Sequence, residues 1–202
     1  MDGDVGRGRK SGFTDEDVFV WLADHLATAP GVTVQQVSKG TKVSVGSIYH
    51  RFGSMEDLLA EAWVWAHERY RVFMTKTLQM DGEAGALRSA VKSVRFATLD
   101  RPAAILLFAV PKRFLVRSGI SATNRAKVNF ENQTLADEIN GYATRFGTDA
   151  DSIDLAVIQV PKAIIQKYLP DEPVPAQAEV YVRKSCKVIL NNPIHATDDM
   201  DA

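Results

Sequence analysis

The chain holds a single cysteine, Cys186, among its 202 residues. One cysteine cannot close an internal disulfide, so a disulfide framework is excluded. No Cys/His group stands at zinc-ligand spacing, and no cofactor motif is present. Long apolar runs are missing too. The longest, Ala103 to Val110, is eight residues, well short of the ~20 that a membrane helix needs. The first residues are rich in Asp, Gly and Arg rather than apolar, which speaks against a secretion signal and for a cytoplasmic, membrane-free protein. Neither sign of charge dominates: 24 Lys and Arg face 25 Asp and Glu, for a net charge of −1. A uniformly basic nucleic-acid coat is thereby excluded, but not a local basic patch. Sustained alternation of apolar and polar residues is also absent, so strands are not expected.

What is present is ordinary globular composition, 46% hydrophobic and 24% charged, which excludes a mostly disordered chain. Helical periodicity runs almost throughout. Val18, Leu22, Leu26 and Ala29 form a first stripe, preceded by Thr14 as N-cap and closed by Pro30-Gly31. Asp15, Glu16 and Asp17 suit a helix N-terminus. Thr33 can cap a second helix and Ser44 a third that stops at Gly53. Ser54 can open a fourth, from Met55 to about Leu78. Further helical segments are Glu83–Leu99, Pro102–Val110, Pro111–Arg117, Ser121–Phe146, Asp149–Leu169 and Val174–Leu190. The expected fold is all-α. A basic leader covers 1–12, with Arg7, Arg9 and Lys10. A helix-turn-helix domain covers 13–54, a helical regulatory and dimerisation domain 55–192, and an acidic tail 193–202.

The stretch from Thr33 to Phe52 gives two short helices joined by a tight turn near Gly40–Ser44. That is the spacing of a helix-turn-helix, whose second helix enters a major groove. The second helix begins with small residues, Ser44, Val45, Gly46 and Ser47, which allow close approach to base edges. Tyr49, His50 and Arg51 follow as phosphate-length donors. From Thr33 to Gly53 there are Lys39, Lys42 and Arg51 but no acid to repel phosphate. Two short helices and a turn also occur in many all-α proteins, and three positive charges can be a solvated face. The residues alone leave both readings open.

Residues 33 to 59 read T-V-x-x-V, then V-S-x-G-S-I-Y-H-R-F from Val43 to Phe52, then S-M-E-D-L-L. This stretch resembles the TetR family of transcriptional regulators. The resemblance covers roughly the first quarter of the chain; the remainder agrees only in its helical architecture. It implies a homodimer bound to a double-stranded palindromic DNA operator, more often as a repressor, and released by a small-molecule effector. It implies that Thr33 and Tyr49 anchor phosphates, and that Ser44, Val45, Ser47 and His50 face the groove. Val37, Val43, Ile48 and Phe52 would be core. Lys42, Gly46, Arg51 and Ser54 complete the expected DNA contacts. The alternatives are a half-buried core aromatic for Tyr49 and an exposed spacer for His50. The basic leader is either a minor-groove arm or a solubilising segment. Two positions depart from the family pattern. Thr41-Lys42 stands where Ala-Gly is usual, which predicts strain or a rearranged turn. Met55 stands where a phosphate-binding lysine is common, leaving that contact to the Ser54 hydroxyl and the helix amides.

The later helices offer dimer and ligand candidates. Asp149–Leu169 carries two apolar stripes, one with Leu155, Ile158 and Ile165, and needs two partners. Val182, Cys186 and Ile189 form a complementary stripe on the last helix. TetR-like proteins pair their last helices between subunits; a larger monomeric core is the other reading. Candidate ligand-lining residues are Trp63, His67, Phe96, Phe108, Phe114, Val128 and Asn132, all of which a plain helical core would also use. An enzyme is not expected. His25, His50, His67 and His195 belong to no catalytic spacing, and Glu131 and Glu138 read as isolated helical acids. Asn132-Gln133-Thr134 matches a glycosylation triplet by chance. The remaining alternative is a protein-interaction adaptor that keeps a helix-turn-helix without sequence-specific DNA binding.

Overall fold

Hydroxyl side chains start each of the first four helices. Helix α1 (Asp15–Thr28) and helix α2 (Val34–Thr41) open on full capping boxes, Thr14 with Asp17 and Thr33 with Gln36. Ser44 caps α3 (Val45–Phe52), accepting from the Ser47 N–H at 3.1 Å. Gly53 ends α3 with φ of 80°, a conformation that only glycine adopts freely. Ser54 then caps α4 (Met55–Leu78), accepting from the Asp57 N–H at 3.0 Å. The computed structural model describes residues 13–29 and 31–193. The leader 1–12, Pro30, and the tail from residue 194 with His195 lie outside the described residues.

Beyond α4 the chain continues through α5 (Gly82–Leu99), α6 (Arg101–Ala104), α7 (Lys112–Leu115), α8 (Ala122–Phe146), α9 (Ala150–Asp154), α10 (Val160–Gln166) and α11 (Gln177–Asn191). No strand occurs among the described residues. The core runs along α4, which packs on α5 and α8, while α11 lies on α5. Leu58, Leu59, Ala62, Ala66, Met74 and Leu78 are all buried along it.

Two stretches expected as uninterrupted helices contain π-helical turns, Ile105–Ala109 and Leu155–Gln159. The second sits just before Pro161, whose missing N–H cannot reach the Val157 carbonyl. Ser93 on α5 donates its hydroxyl to that carbonyl at 3.3 Å and so satisfies it. Likewise Gln166 Nε2 donates to the Phe108 carbonyl at 2.7 Å. Both contacts come from other elements, which periodicity along one segment does not reveal.

The interhelix turn runs through Thr41-Lys42 without a glycine at its left-handed position. Lys42 takes the left-handed conformation itself, with φ of 63°. Thr41 steadies the turn, its hydroxyl donating to the Val37 carbonyl at 2.8 Å. Gly40 serves a different purpose: a Cβ there would lie 2.0 Å from the Trp21 indole. Left-handed backbone costs a non-glycine residue about 1–2 kcal/mol. Lys42→Gly is therefore expected to stabilise the free protein by about 0.5–1 kcal/mol, net of the entropy glycine adds to the unfolded chain. Urea unfolding checks this; an unchanged or lower midpoint would show that Lys42 is unstrained.

Candidate nucleic-acid interface

Helix α3 divides cleanly into two faces. Ile48 and Phe52 point inward, with Val37 of α2 and Val43 of the turn, all buried as expected. Ser44, Gly46, Ser47, Tyr49, His50 and Arg51 are exposed, and Val45 is partly covered. Tyr49 is 43% exposed, so the reading of it as a core aromatic fails. Gly46 is open: a Cβ there would meet only the Ser44 hydroxyl, at 3.9 Å. Nothing in the free protein requires glycine at that position. Thr33 and Lys42 are exposed beside this face, and Ser54 is half-buried.

The hydroxyls of the reader are already engaged in shaping it. Thr33 Oγ1 donates to Gln36 Oε1 at 3.0 Å, and the Ser44 and Ser47 hydroxyls lie 2.8 Å apart. Arg51 is also engaged. Its Nε donates to Asp15 Oδ1 at 2.9 Å, and its Nη2 pairs with the same carboxylate. The segment itself lacks acids, but the fold brings Asp15 from α1 against its arginine. That hydrogen bond and the charge of Asp15 push the guanidinium pKa up, and the pairing competes with a phosphate for Arg51.

Asp57 ties the reader to the helices behind it. Its Oδ2 accepts from the Ser54 hydroxyl at 2.9 Å. Its Oδ1 accepts from the Ser121 N–H at 2.9 Å and from Asn124 Nδ2 at 2.7 Å, at the start of α8. Burial alone would raise the Asp57 carboxyl, but the donors from Ser121, Asn124 and Ser54 together hold it below its ordinary 3.8. The partner of Asn124 lies 67 residues away, beyond the reach of periodicity along α8.

A second polar centre lies between α4 and α8. Glu131, 4% exposed, accepts from Arg71 Nε at 2.9 Å and pairs with His67 Nδ1 at 3.3 Å. Burial raises its carboxyl, yet Arg71 and His67 overcome this and hold it below its ordinary value. Burial lowers the His67 pKa despite Glu131 beside it. Glu138 accepts from the Thr75 hydroxyl at 2.9 Å. The reading of Glu131 and Glu138 as isolated acids is thus corrected: their partners sit about 60 residues away on α4.

The candidate ligand residues do not converge on one cavity. His67 and Asn132 border a cleft of about 310 Å³ between α4, α8 and α9. Phe114 borders a separate cleft of about 280 Å³ beside Leu26 and Val110. Phe96 and Phe108 pack edge-on against Tyr70, at 5.3 and 5.4 Å between ring centres, and form core. Val128 is buried. Trp63 is buried beneath the Lys112 ammonium, 4.3 Å from its ring centre.

The dimer candidates also divide. Ile165, Val182 and Cys186 have no exposed surface within the chain, so they have none left to bury against a second copy. Burial pushes the Cys186 thiol up to about 12, which leaves it inert. Ile158 is buried as well, whereas Leu155 and Ile189 are partly open. The outward apolar residues on α11 are Val180, Tyr181 and Val188, the last two 50% and 62% exposed. Periodicity finds a stripe on such a helix but not which side of it faces inward.

No helix among the described residues is long and apolar enough to cross a membrane, and no group of three or more His, Cys, Asp and Glu is placed to hold a metal. No sequence among the curated proteins matches the chain. Residues 29–62, from the end of α1 into α4, match the family described as bacterial regulatory proteins, tetR family. Solved structures share the fold over most of the chain. The TetR-family transcriptional regulator PfmR from Thermus thermophilus matches 86% of this chain and 97% of its own, at 19% identity and a TM-score of 0.66. The fatty acid degradation regulator FadR from Bacillus halodurans matches 93% of this chain and 100% of its own, at 14% identity and a TM-score of 0.67. The regulator FadR from Bacillus subtilis, solved with stearoyl-CoA, matches 87% and 97%, at 13% identity and a TM-score of 0.65. At these identities the likeness is one of fold. Residues 29–62 thus match the tetR-family model in helix-turn-helix form, on a chain whose fold is that of solved TetR-family transcriptional regulators.

Proposed function

We propose that this chain represses transcription as a homodimer that binds a palindromic operator through α2 and α3 and lets go when a small molecule binds behind α4. The observation that carries this reading is the outer face of α3. It is exposed, free of acids, and bears an open glycine between two small hydroxyl residues. A face of this kind suits close approach to base edges. Tyr49, His50 and Lys42 flank it as phosphate contacts, while Arg51 is shared with Asp15.

A single reader of this size covers few base pairs, and two-fold pairing mirrors a palindrome. The outward residues Tyr181 and Val188 on α11, with Leu155 and Ile189 at its margins, supply the apolar face for that pairing. The cleft behind α4 adjoins helices tied to the reader through Asp57, so a ligand that prefers one arrangement of α4 and α8 would bias the reader.

The test is selection of bound fragments from the host's own genomic DNA, followed by salt titration of the winning site. A palindromic site is expected, with log K falling steeply against log salt. Tyr49→Ala is expected to lose about tenfold in affinity, across operator variants alike, as a phosphate contact should. Weak, sequence-independent binding that persists after unfolding and refolding to strip ligand would sink the reading in favour of an adaptor.

A further inference from the structure

Acids vanish from one long stretch of the chain. Between Asp100 and Glu131 lie thirty residues, six of them lysine or arginine and none aspartate or glutamate. Three of the six are committed elsewhere. Arg101 donates to the Pro170 carbonyl, Lys112 lies over the Trp63 ring and reaches Asn132 Oδ1, and Lys127 pairs with Glu61 at 3.3 Å. Arg113, Arg117 and Arg125 are left. All three are exposed, and none forms an ion pair with a described acid. Arg51, Arg69, Arg71, Arg95 and Arg145, by contrast, each hold a carboxylate.

Carbonyls and one aromatic ring gather the three guanidiniums. Arg117 Nε donates to the Phe114 carbonyl at 3.1 Å, and the guanidinium lies 4.8 Å from the Phe114 ring centre. Arg113 precedes Phe114 and borders the same cleft. Arg125 Nη2 donates to the carbonyl of Ser118, next in the chain to Arg117, at 2.8 Å. A carbonyl takes up a donor but leaves the charge uncancelled, and each guanidinium keeps further N–H groups to give. Two acids of α4 lie close to this loop without cancelling it. Asp57 is committed to Ser54, Ser121 and Asn124. Glu56 has its Cγ 3.7 Å from where a Cβ on Gly119 would stand, but pairs with none of the three.

The loop is fixed against the reader. The Ser121 N–H and the Ser54 hydroxyl donate to opposite oxygens of Asp57. One carboxylate thus stands between the loop and Ser54, the hydroxyl expected to meet phosphate where α3 passes into α4. On its other flank, Arg113 borders a cleft with Leu26 and Ala29, at the end of α1 just ahead of Thr33.

From this placement we infer that Arg113, Arg117 and Arg125 form a second DNA contact surface, carried by the regulatory helices, that meets backbone phosphates beside those held by α2 and α3. Duplex DNA presents one negative charge per about 1.7 Å of its axis, and the guanidinium fork matches phosphate oxygens. Such a surface adds affinity without sequence preference. The inference rests on the operator-binding reading and goes beyond it, by extending the interface outside the helix-turn-helix domain.

The test is salt titration of the full chain on two probes, the operator fragment obtained by selection and a duplex of random sequence. Arg113→Gln, Arg117→Gln and Arg125→Gln each remove two charges from a homodimer. Each is expected to shallow the slope of log K against log salt by about 2 and to weaken binding about tenfold, alike on both probes. Arg88→Gln makes the same charge change beside Met80, beyond the far end of α4 from Ser54, and is expected to leave the slope unchanged. Arg117→Lys and Arg125→Lys keep the charge and should keep the slope. Lysine variants as weak as the glutamine variants would mean that the arginines only brace the loop, and would overturn the inference. A wild-type slope at two or more of the three positions overturns it as well, leaving an acidic protein surface as the counterpart of the patch. If the wild type itself shows no salt-dependent binding, the operator reading falls too.

Discussion

Gly46→Leu is expected to leave the protein folded and to weaken operator binding about a hundredfold, equivalent to about 2.7 kcal/mol. The two halves of this expectation have separate causes. In the free protein, Gly46 sits in the first turn of α3 with open space around it, a Cβ meeting nothing closer than 3.9 Å. Leucine is a better helix former than glycine by up to about 0.8 kcal/mol, so the thermal midpoint should hold or rise. On DNA the same side chain stands between Ser44 and Ser47, on the face proposed to meet the base edges. A group of four carbons there holds the helix away from the groove floor and breaks contacts on both sides. Gly46→Ala should fall between the two proteins in affinity. The contrast with Gly40 is a useful control. A Cβ at Gly40 would strike Trp21, so Gly40→Ala damages the fold. Full operator binding by Gly46→Leu would place the start of α3 away from the groove.

Glu131→Ala is expected to destabilise the fold by about 3 kcal/mol, at the low end for breaking a buried ion pair because Arg71 keeps some solvent contact. Glu131 is the only described acid in hydrogen-bond contact with Arg71, and it also holds His67. Its removal leaves a guanidinium and an imidazole at the α4–α8 seam without their acceptor. Glu131→Gln keeps an acceptor oxygen and should cost less. Urea midpoints rank the three proteins; equal midpoints for wild type and Glu131→Ala would make the triad dispensable. The same site predicts acid sensitivity in two stages. The folded pKa of His67 lies below its ordinary 6.5, so the unfolded chain takes up that proton first. Stability is full above 6.5 and falls as pH drops from there towards the folded value. The Glu131 carboxyl is also held down, so its contribution is present above its ordinary 4.5 and is lost as pH falls through the folded value. His67→Gln should flatten the first stage and leave the second.

The sequence by itself determined the all-helical class and the starts of the first four helices. Thr14, Thr33, Ser44 and Ser54 were readable as caps because capping is a contact between a side chain and an amide three residues on. The inward set Val37, Val43, Ile48 and Phe52 followed from spacing and family pattern, and with it the outward face of α3. What only the tertiary structure decided involves partners distant along the chain. The Val157 carbonyl in the π-turn before Pro161 meets the Ser93 hydroxyl of α5. Arg51 shares its charge with Asp15, Asn124 meets Asp57, and Glu131 finds Arg71 and His67. The choice between the two apolar sides of the last helices was equally out of reach, and it placed Val182 and Cys186 inside. Local signals act over a few residues, so a single segment reports them. Burial and ion pairing depend on which segments meet, and that is settled only when the chain has packed.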